Sequence, residues 1–326
     1  MGSIVLDNHN VFAGKRIWIT GHRGMLGSAL LRVMQEEQAI FLTATSKELD
    51  LRCQSDVNYW VKENKPEMIF HAGAKVGGIH ANATYRADFL RDNILIQTNV
   101  IDAAYRIGVK KLIFVASNCT YPTKAAQPIV EDALLTGALE DNIRSYAISK
   151  IAGIEMCRAY KQQYGCNFIS VIPPNLYGPG DNYHPEHNHV VAGIMRRAHE
   201  AKAAGKTEFV VWGDGTARRE ILYVEDLARA MQFLMASDPV HDLYNIGCGE
   251  DLSIAELASL IINTVGFEGK IVYDTTKPNG TMRKLLDSTR INKAGWKAQV
   301  DAKVGLAFAY DDFLKQLQKQ EQMHRI

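Results

Sequence analysis

Neither sign of charge dominates this chain: its 326 residues carry 37 Lys+Arg against 36 Asp+Glu, a formal net charge of +1. That excludes the broad basic surface of a duplex-binding protein, and no nucleic-acid partner is expected. An acidic, disordered chain is excluded too, because 47% of the residues are hydrophobic and 9% aromatic, ordinary values for a packed protein. Long apolar runs are missing; none approaches the roughly 18 residues of a membrane span. Residues 1–14 hold Asp7 and His9 where a secretory leader needs a basic and then an apolar stretch. The five cysteines (Cys53, Cys119, Cys157, Cys166, Cys248) are odd in number and lack any C-x-x-C pair. A disulfide framework and a zinc ribbon are therefore excluded, and a cytoplasmic protein is expected.

What is present is alternation. Residues 15–20, 39–44, 68–72, 111–116 and 167–172 read as strands, and 25–37, 55–63, 85–107 and 146–164 as helices. This order predicts βαβ units in a Rossmann-like, doubly wound parallel sheet of the α/β class. Residues 175–189 (NLYGPGDNYHPEHNH) are too rich in Gly, Pro, Asn and His for a regular element. Beyond them short strands mix with helices such as 253–265. The expected division is a dinucleotide-binding domain over 15–172 with parts of 213–247, and a smaller interleaved α/β substrate lobe over 173–212 and 248–326. Such a lobe would cover the carboxyl ends of the strands, where open α/β sheets bind ligands.

The first strand-helix junction reads Gly21-His22-Arg23-Gly24-Met25-Leu26-Gly27. Gly21 suits a tight turn, Gly24 a close approach to a pyrophosphate, and Gly27 close helix-strand packing. The G-x-x-G-x-x-G spacing, with Met25 and Leu26 opening the helix, points to a dinucleotide; the plain alternative is an ordinary strand-helix turn. An NAD site places an acid near the end of the second strand. Here residues 43–47 offer none before Glu48, while Arg23 and Lys47 could face a 2′-phosphate. Charge thus favours NADP(H), against the alternative that both cations are merely solvated.

Tyr146 and Lys150 stand four apart, on one helical face. A nearby cation lowers a phenol from about 10 toward neutrality, which makes Tyr146 an acid/base beside a carbonyl. Tyr273 and Lys277 share the spacing but lie in a stretch that reads as strand and loop. Tyr146 opens a long helix downstream of Ser117, which ends a buried strand and can hydrogen-bond the same carbonyl oxygen. His184, His187 and His189 are spaced like metal ligands, but no partnering Cys or acid cluster accompanies them, so no metal is expected.

These motifs continue through Ala74 to Ile79 (AKVGGI), Ser117 to Pro122 (SNCTYP), YAISKIAG from Tyr146, NLYGP from Asn175, His184-Pro185, His189-Val190, Arg196-Arg197, Val211-Trp212-Gly213, Arg219-Glu220, Lys277 to Thr281 and RKLLD from Arg283. Together they resemble the extended short-chain dehydrogenase/reductases and, within them, the GDP-L-fucose synthase family, across residues 15–315. The resemblance implies NADPH-dependent 3,5-epimerisation and 4-keto reduction of GDP-4-keto-6-deoxymannose. It implies Cys119 as epimerisation base, His189 as acid, and Lys150 as a ribose ligand that tunes Tyr146. It adds Ser46, Lys47, Asp50, Leu51, Ala74, Ala116, Pro173, Asn175, Leu176 and His189 to the cofactor site. It places Arg197, Trp212, Arg219, Asn279 and Lys284 on a GDP-sugar, and implies a homodimer through the helices at 85–107 and 146–164. Cysteines are more often packing than catalysts, and one of Arg196 and Arg197 reads as a solvated helix face. Three residues depart from the family pattern: Asn118 and Ser46, where the family has serine and arginine, and Asn279, where it has an acid. Asn118 and Asn279 leave open a sibling GDP-sugar of deoxy-heptose or colitose type, whereas Ser46 weakens the case for NADP(H), although Lys47 is adjacent. A nucleotide-sugar 4-epimerase would need neither Cys119 nor His189. A 4,6-dehydratase lacks its acid pair in Ser117-Asn118-Cys119-Thr120, and a non-catalytic NADP-binding protein would be expected to lose the Tyr/Lys pair.

Overall fold

The structure, a computed structural model, describes residues 11–185, 188–277 and 279–323. The first half alternates as β1 (Arg16–Thr20), α1 (Met25–Val33), β2 (Ile40–Leu42), α2 (Gln54–Asn64), β3 (Met68–His71), α3 (Ile79–Thr84), α4 (Arg86–Arg106), β4 (Lys111–Val115), α5 (Arg144–Tyr164) and β5 (Phe168–Ile172). The second half runs β6 (Asn175–Tyr177), α6 (Val190–Ala203), β7 (Glu208–Trp212), β8 (Arg218–Arg219), β9 (Ile221–Tyr223), α7 (Val224–Ala236), β10 (Leu243–Asn245), β11 (Leu252–Ser253), α8 (Ile254–Val265), β12 (Lys270–Asp274), β13 (Arg283–Lys284), α9 (Thr289–Ala294) and α10 (Ala302–Met323).

Six strands form one sheet in the order β10-β5-β4-β3-β1-β2, every pair parallel. β4 (KLIFV) is apolar throughout because both of its faces are covered. Ile113 and Val115 enter one core, Leu112 and Phe114 the other, as the two-residue side-chain period demands. α1 packs Ala29 and Leu30 into the first core beside Leu227, Ala228 and Met231 of α7. The chain winds one way from β1 to β2 and the other way through β3, so the crevice opens where β1 and β3 end. Thr20 and His71 close those two strands with an Oγ1···Nδ1 contact of 2.8 Å, and the Gly73 N–H donates to Thr20 Oγ1 at 2.8 Å.

A third core joins α6, α8 and α10 through Met195, Ala198, Leu257, Ile261, Leu306 and Phe313. α8 starts on a capping box between Ser253 and Glu256, which satisfies two otherwise orphaned amides. Small strand pairs flank this core: β7 with β12, β8 between β11 and β13, and β6 with β9.

Three expectations need correction. Residues 175–177, read as irregular, form β6, because Asn175, Leu176 and Tyr177 pair with Ile221, Leu222 and Tyr223 before the first glycine intervenes. α1 ends at Val33 rather than 37, where its apolar spacing gives out. The helix expected from residue 85 is preceded by α3, the two separated at Tyr85 (φ −107°, ψ 44°). Among the described residues no helix is long and apolar enough to cross a membrane.

Candidate active site

The glycine loop is shaped by contacts that leave no room for side chains. Gly21 has φ +69°, and a Cβ there would lie 2.8 Å from Gly73 Cα; a Cβ on Gly27 would lie 2.2 Å from Gly21 O. Gly24 caps α1 in extended backbone, and the first turn holds no acid. The amino terminus of α1 therefore presents free N–H groups and a positive dipole end to an anion. Gly21, Gly24, Met25, Leu26 and Gly27 line one wall of a 370 Å³ cavity. Ala74, Ala116, Pro173, Asn175 and Leu176 line the others. These residues fit a dinucleotide pyrophosphate and its nicotinamide half.

A neighbouring cavity of 410 Å³ shares Gly21 and Ala74 and adds Ser46, Asp50 and Leu51. Arg23 and Lys47 are exposed, and neither lines this cavity. Two cations that sequence reading missed do line it, Arg52 and Lys75. Arg52 grips Asp50 through Nε and Nη2 (2.9 and 2.8 Å), and Lys75 pairs with the buried Asp92 (2.9 Å). Glu48, the first acid after β2, is turned back on itself. The N–H and hydroxyl of Thr45 (2.7 and 2.8 Å) hold its carboxyl below the usual range, helped by His22 and Arg23. It is thus engaged in its own turn rather than held out for a ribose diol.

The reacting end gathers Ser117, Tyr146, Lys150 and His189 on the first cavity, the one walled by the glycine loop. Ser117 caps the short 3₁₀ turn Asn118–Thr120, and its Oγ accepts the Cys119 N–H (3.4 Å), which leaves the hydroxyl proton free to donate. Lys150 donates to Val115 O at 2.8 Å, and its Nζ lies 4.9 Å from the Phe114 ring centroid and 5.9 Å from that of Tyr146. Burial lowers the ammonium to about 8. The expected lowering of Tyr146 is not found. Desolvation, with Cys119 adding to it, pushes the phenol up, because a phenolate taken out of water loses its hydration.

Cys119 is buried and does not line the cavity. Burial raises its thiol, opposed by Ser117, Lys284 and Lys150. His189 caps α6, and burial lowers its imidazole. Asn118 lines the cavity, and its buried Nδ2 has no hydrogen-bond partner.

The remaining cations lie on the lobe. Arg197 donates to Val210 O (3.0 Å) and stands 5.7 Å from the ring of Trp212, itself 63% exposed. Arg219 donates to Arg218 O (2.7 Å) and Thr281 O (2.5 Å). Asn279 accepts the Asp214 N–H (2.9 Å), so its carbonyl oxygen serves the turn at Gly213. Lys284 pairs with Glu140 at 3.0 Å, an acid with no sequence signal. Arg196 faces elsewhere, paired with Glu200 (2.7 Å). Tyr273 lies within β12 and Lys277 follows in a bend, so the second Tyr/Lys pair shares no helical face. His187 and Pro278 lie outside the described residues. Among the described residues no group of three His, Cys, Asp or Glu is placed to hold a metal.

A parallel sheet with a glycine cradle at its switch point and a Ser/Tyr/Lys set at its carboxyl edge defines a dinucleotide-binding α/β enzyme. The chain belongs to the NAD dependent epimerase/dehydratase family, whose model matches residues 17–247. GDP-L-fucose synthase 1 of Arabidopsis thaliana is 51% identical, over 92% of this chain and 93% of that protein. Among solved structures, the GDP-6-OMe-4-keto-L-xylo-heptose reductase from C. jejuni superposes with a TM-score of 0.87 at 33% identity, over 93% of this chain and 98% of that one. The GDP-L-fucose synthetase from Naegleria fowleri bound to NADP gives 0.87 at 28% identity, over 93% and 94%.

Proposed function

We propose that this chain is an NADP(H)-dependent epimerase/reductase that converts GDP-4-keto-6-deoxymannose to GDP-L-fucose. The observation that carries the reading is one cavity in which the glycine loop, Ser117, Tyr146, Lys150 and His189 converge. Bound NADPH supplies the hydride for the sugar carbonyl. Tyr146, kept protonated by burial, and Ser117, with its hydroxyl proton free, donate to the carbonyl oxygen. The same two donors stabilise the enolate formed when a proton leaves carbon 3 or carbon 5. Cys119 removes these protons and His189 returns them on the opposite face. Lys150 holds the nicotinamide ribose. Arg197, Arg219 and Lys284 grip the diphosphate, with Trp212 and Asn279 beside them. Ser46, Asp50 and Leu51 border the adenosine end, with Arg23 and Lys47 as cations for the 2′-phosphate.

The lobe that covers the sheet edge is the substrate-binding part. The protein works in the cytoplasm as a homodimer through α4 and α5, which pack side by side and leave Leu95, Tyr105, Ile148 and Tyr164 exposed.

Purified protein should oxidise NADPH when given GDP-4-keto-6-deoxymannose, and proton NMR should show GDP-L-fucose. Retained NAD without NADPH turnover would mean a 4-epimerase. A product unchanged at carbons 3 and 5 would mean a reductase of a sibling GDP-sugar, a reading that the unpartnered Asn118 amide favours.

A further inference from the structure

One acid sits inside the cationic patch of the lobe. Glu140 lies in the segment that leads into α5, six positions ahead of Tyr146. Its Oε2 accepts from Lys284 Nζ and from Thr281 Oγ1, each at 3.0 Å. Both members of the pair are largely buried, with side chains 20% (Glu140) and 12% (Lys284) exposed. Burial pushes the carboxyl up, but Lys284, Thr281 and Arg219 outweigh it and keep the group ionised. A neighbouring acid of the lobe, Asp251, is taken up by Arg218 (2.8 Å) and Arg283 (2.5 Å). Glu140 instead faces Lys284 and Arg219, the cations assigned above to the diphosphate.

We propose that Glu140 is an internal counter-ion that occupies Lys284 until a nucleoside diphosphate takes its place. The inference rests on the reading of Lys284 and Arg219 as diphosphate ligands. Carboxylate and phosphate then compete for one ammonium, and the carboxylate repels the incoming dianion. Glu140 thereby loosens the hold on substrate and product alike, and through the segment ahead of α5 it links the lobe to the helix that bears Tyr146.

Calorimetric titration of the full chain with GDP tests this. Glu140→Gln keeps an acceptor for Thr281 but removes the charge, so GDP should bind about three- to tenfold tighter. Added salt should weaken that binding more steeply than in the parent. Loss of a purely structural contact would not tighten binding. Lys284→Met should weaken GDP binding, and in that background the gain from Glu140→Gln should shrink. If Lys284→Met weakens binding but Glu140→Gln leaves it unchanged or weaker, the counter-ion role is wrong. If Lys284→Met leaves GDP affinity unchanged, the diphosphate reading of Lys284 fails, and the proposal with it. Glu140→Ala serves the same comparison should the amide variant fold poorly.

Discussion

Lys150 is held with its Nζ on the Val115 carbonyl and its ammonium lowered from 10.5 to about 8 by burial. The folded site therefore releases this proton before the unfolded chain does. Between pH 8 and 10.5 the unfolded state binds more protons, so this group makes stability rise with pH there. Chemical denaturation across that window should show the parent gaining on Lys150→Met by up to about 3 kcal/mol; a flat difference would mean that Lys150 is not desolvated. The Cys119 thiol is shifted the other way, upward by burial. A thiol base must lose its proton to act, so deuterium uptake at carbons 3 and 5 should climb with pH through the neutral range. Cys119→Ser should slow that uptake by about 10²-fold or more, and uptake at the parent rate would assign the base elsewhere. Tyr146→Phe should lower kcat for reduction by a similar factor while NADPH affinity, read by fluorescence, stays unchanged.

At the level of elements, the glycine loop and the carboxyl end of β4 were legible because their signals are local. Three glycines at fixed spacing, a buried strand followed two positions on by Ser117, and a helix carrying Tyr146 and Lys150 need no distant partner to be recognised. β6 was not legible, since Asn175–Tyr177 becomes a strand only by pairing with β9 some 46 positions later (Asn175 with Ile221). Glu140 was silent for the same reason: its partners Thr281 and Lys284 are supplied by the segment at β13. The direction of the Tyr146 shift was misread because helical spacing reports the neighbouring lysine but not the depth of burial. Gly27→Ala tests the loop. Its methyl group would meet Gly21 O at 2.2 Å, so thermal unfolding should show a loss of about 1–3 kcal/mol and NADPH titration a marked loss of affinity.

Across the whole molecule, α4 and α5 lie side by side and carry exposed Leu95, Tyr105, Ile148 and Tyr164. Light scattering should therefore give twice the chain mass, and Ile148→Arg should halve it; a monomeric parent would remove α4 and α5 as a dimer face. The six-stranded sheet is not completed by consecutive sequence. Its edge strand β10 (Leu243–Asn245) lies some 70 residues beyond β5, to which it pairs at Ser170, Val171 and Ile172. During synthesis the amino-terminal half leaves the ribosome with the outer edge of β5 unpaired, its N–H and C=O groups open to any passing strand. That edge stays open while β6, α6, β7, β8, β9 and α7 are made, and closes only when residues 243–245 arrive. A chain arrested before Leu243 is thus an incomplete sheet with an adhesive border, and a strand made some 70 residues later acts as its cover.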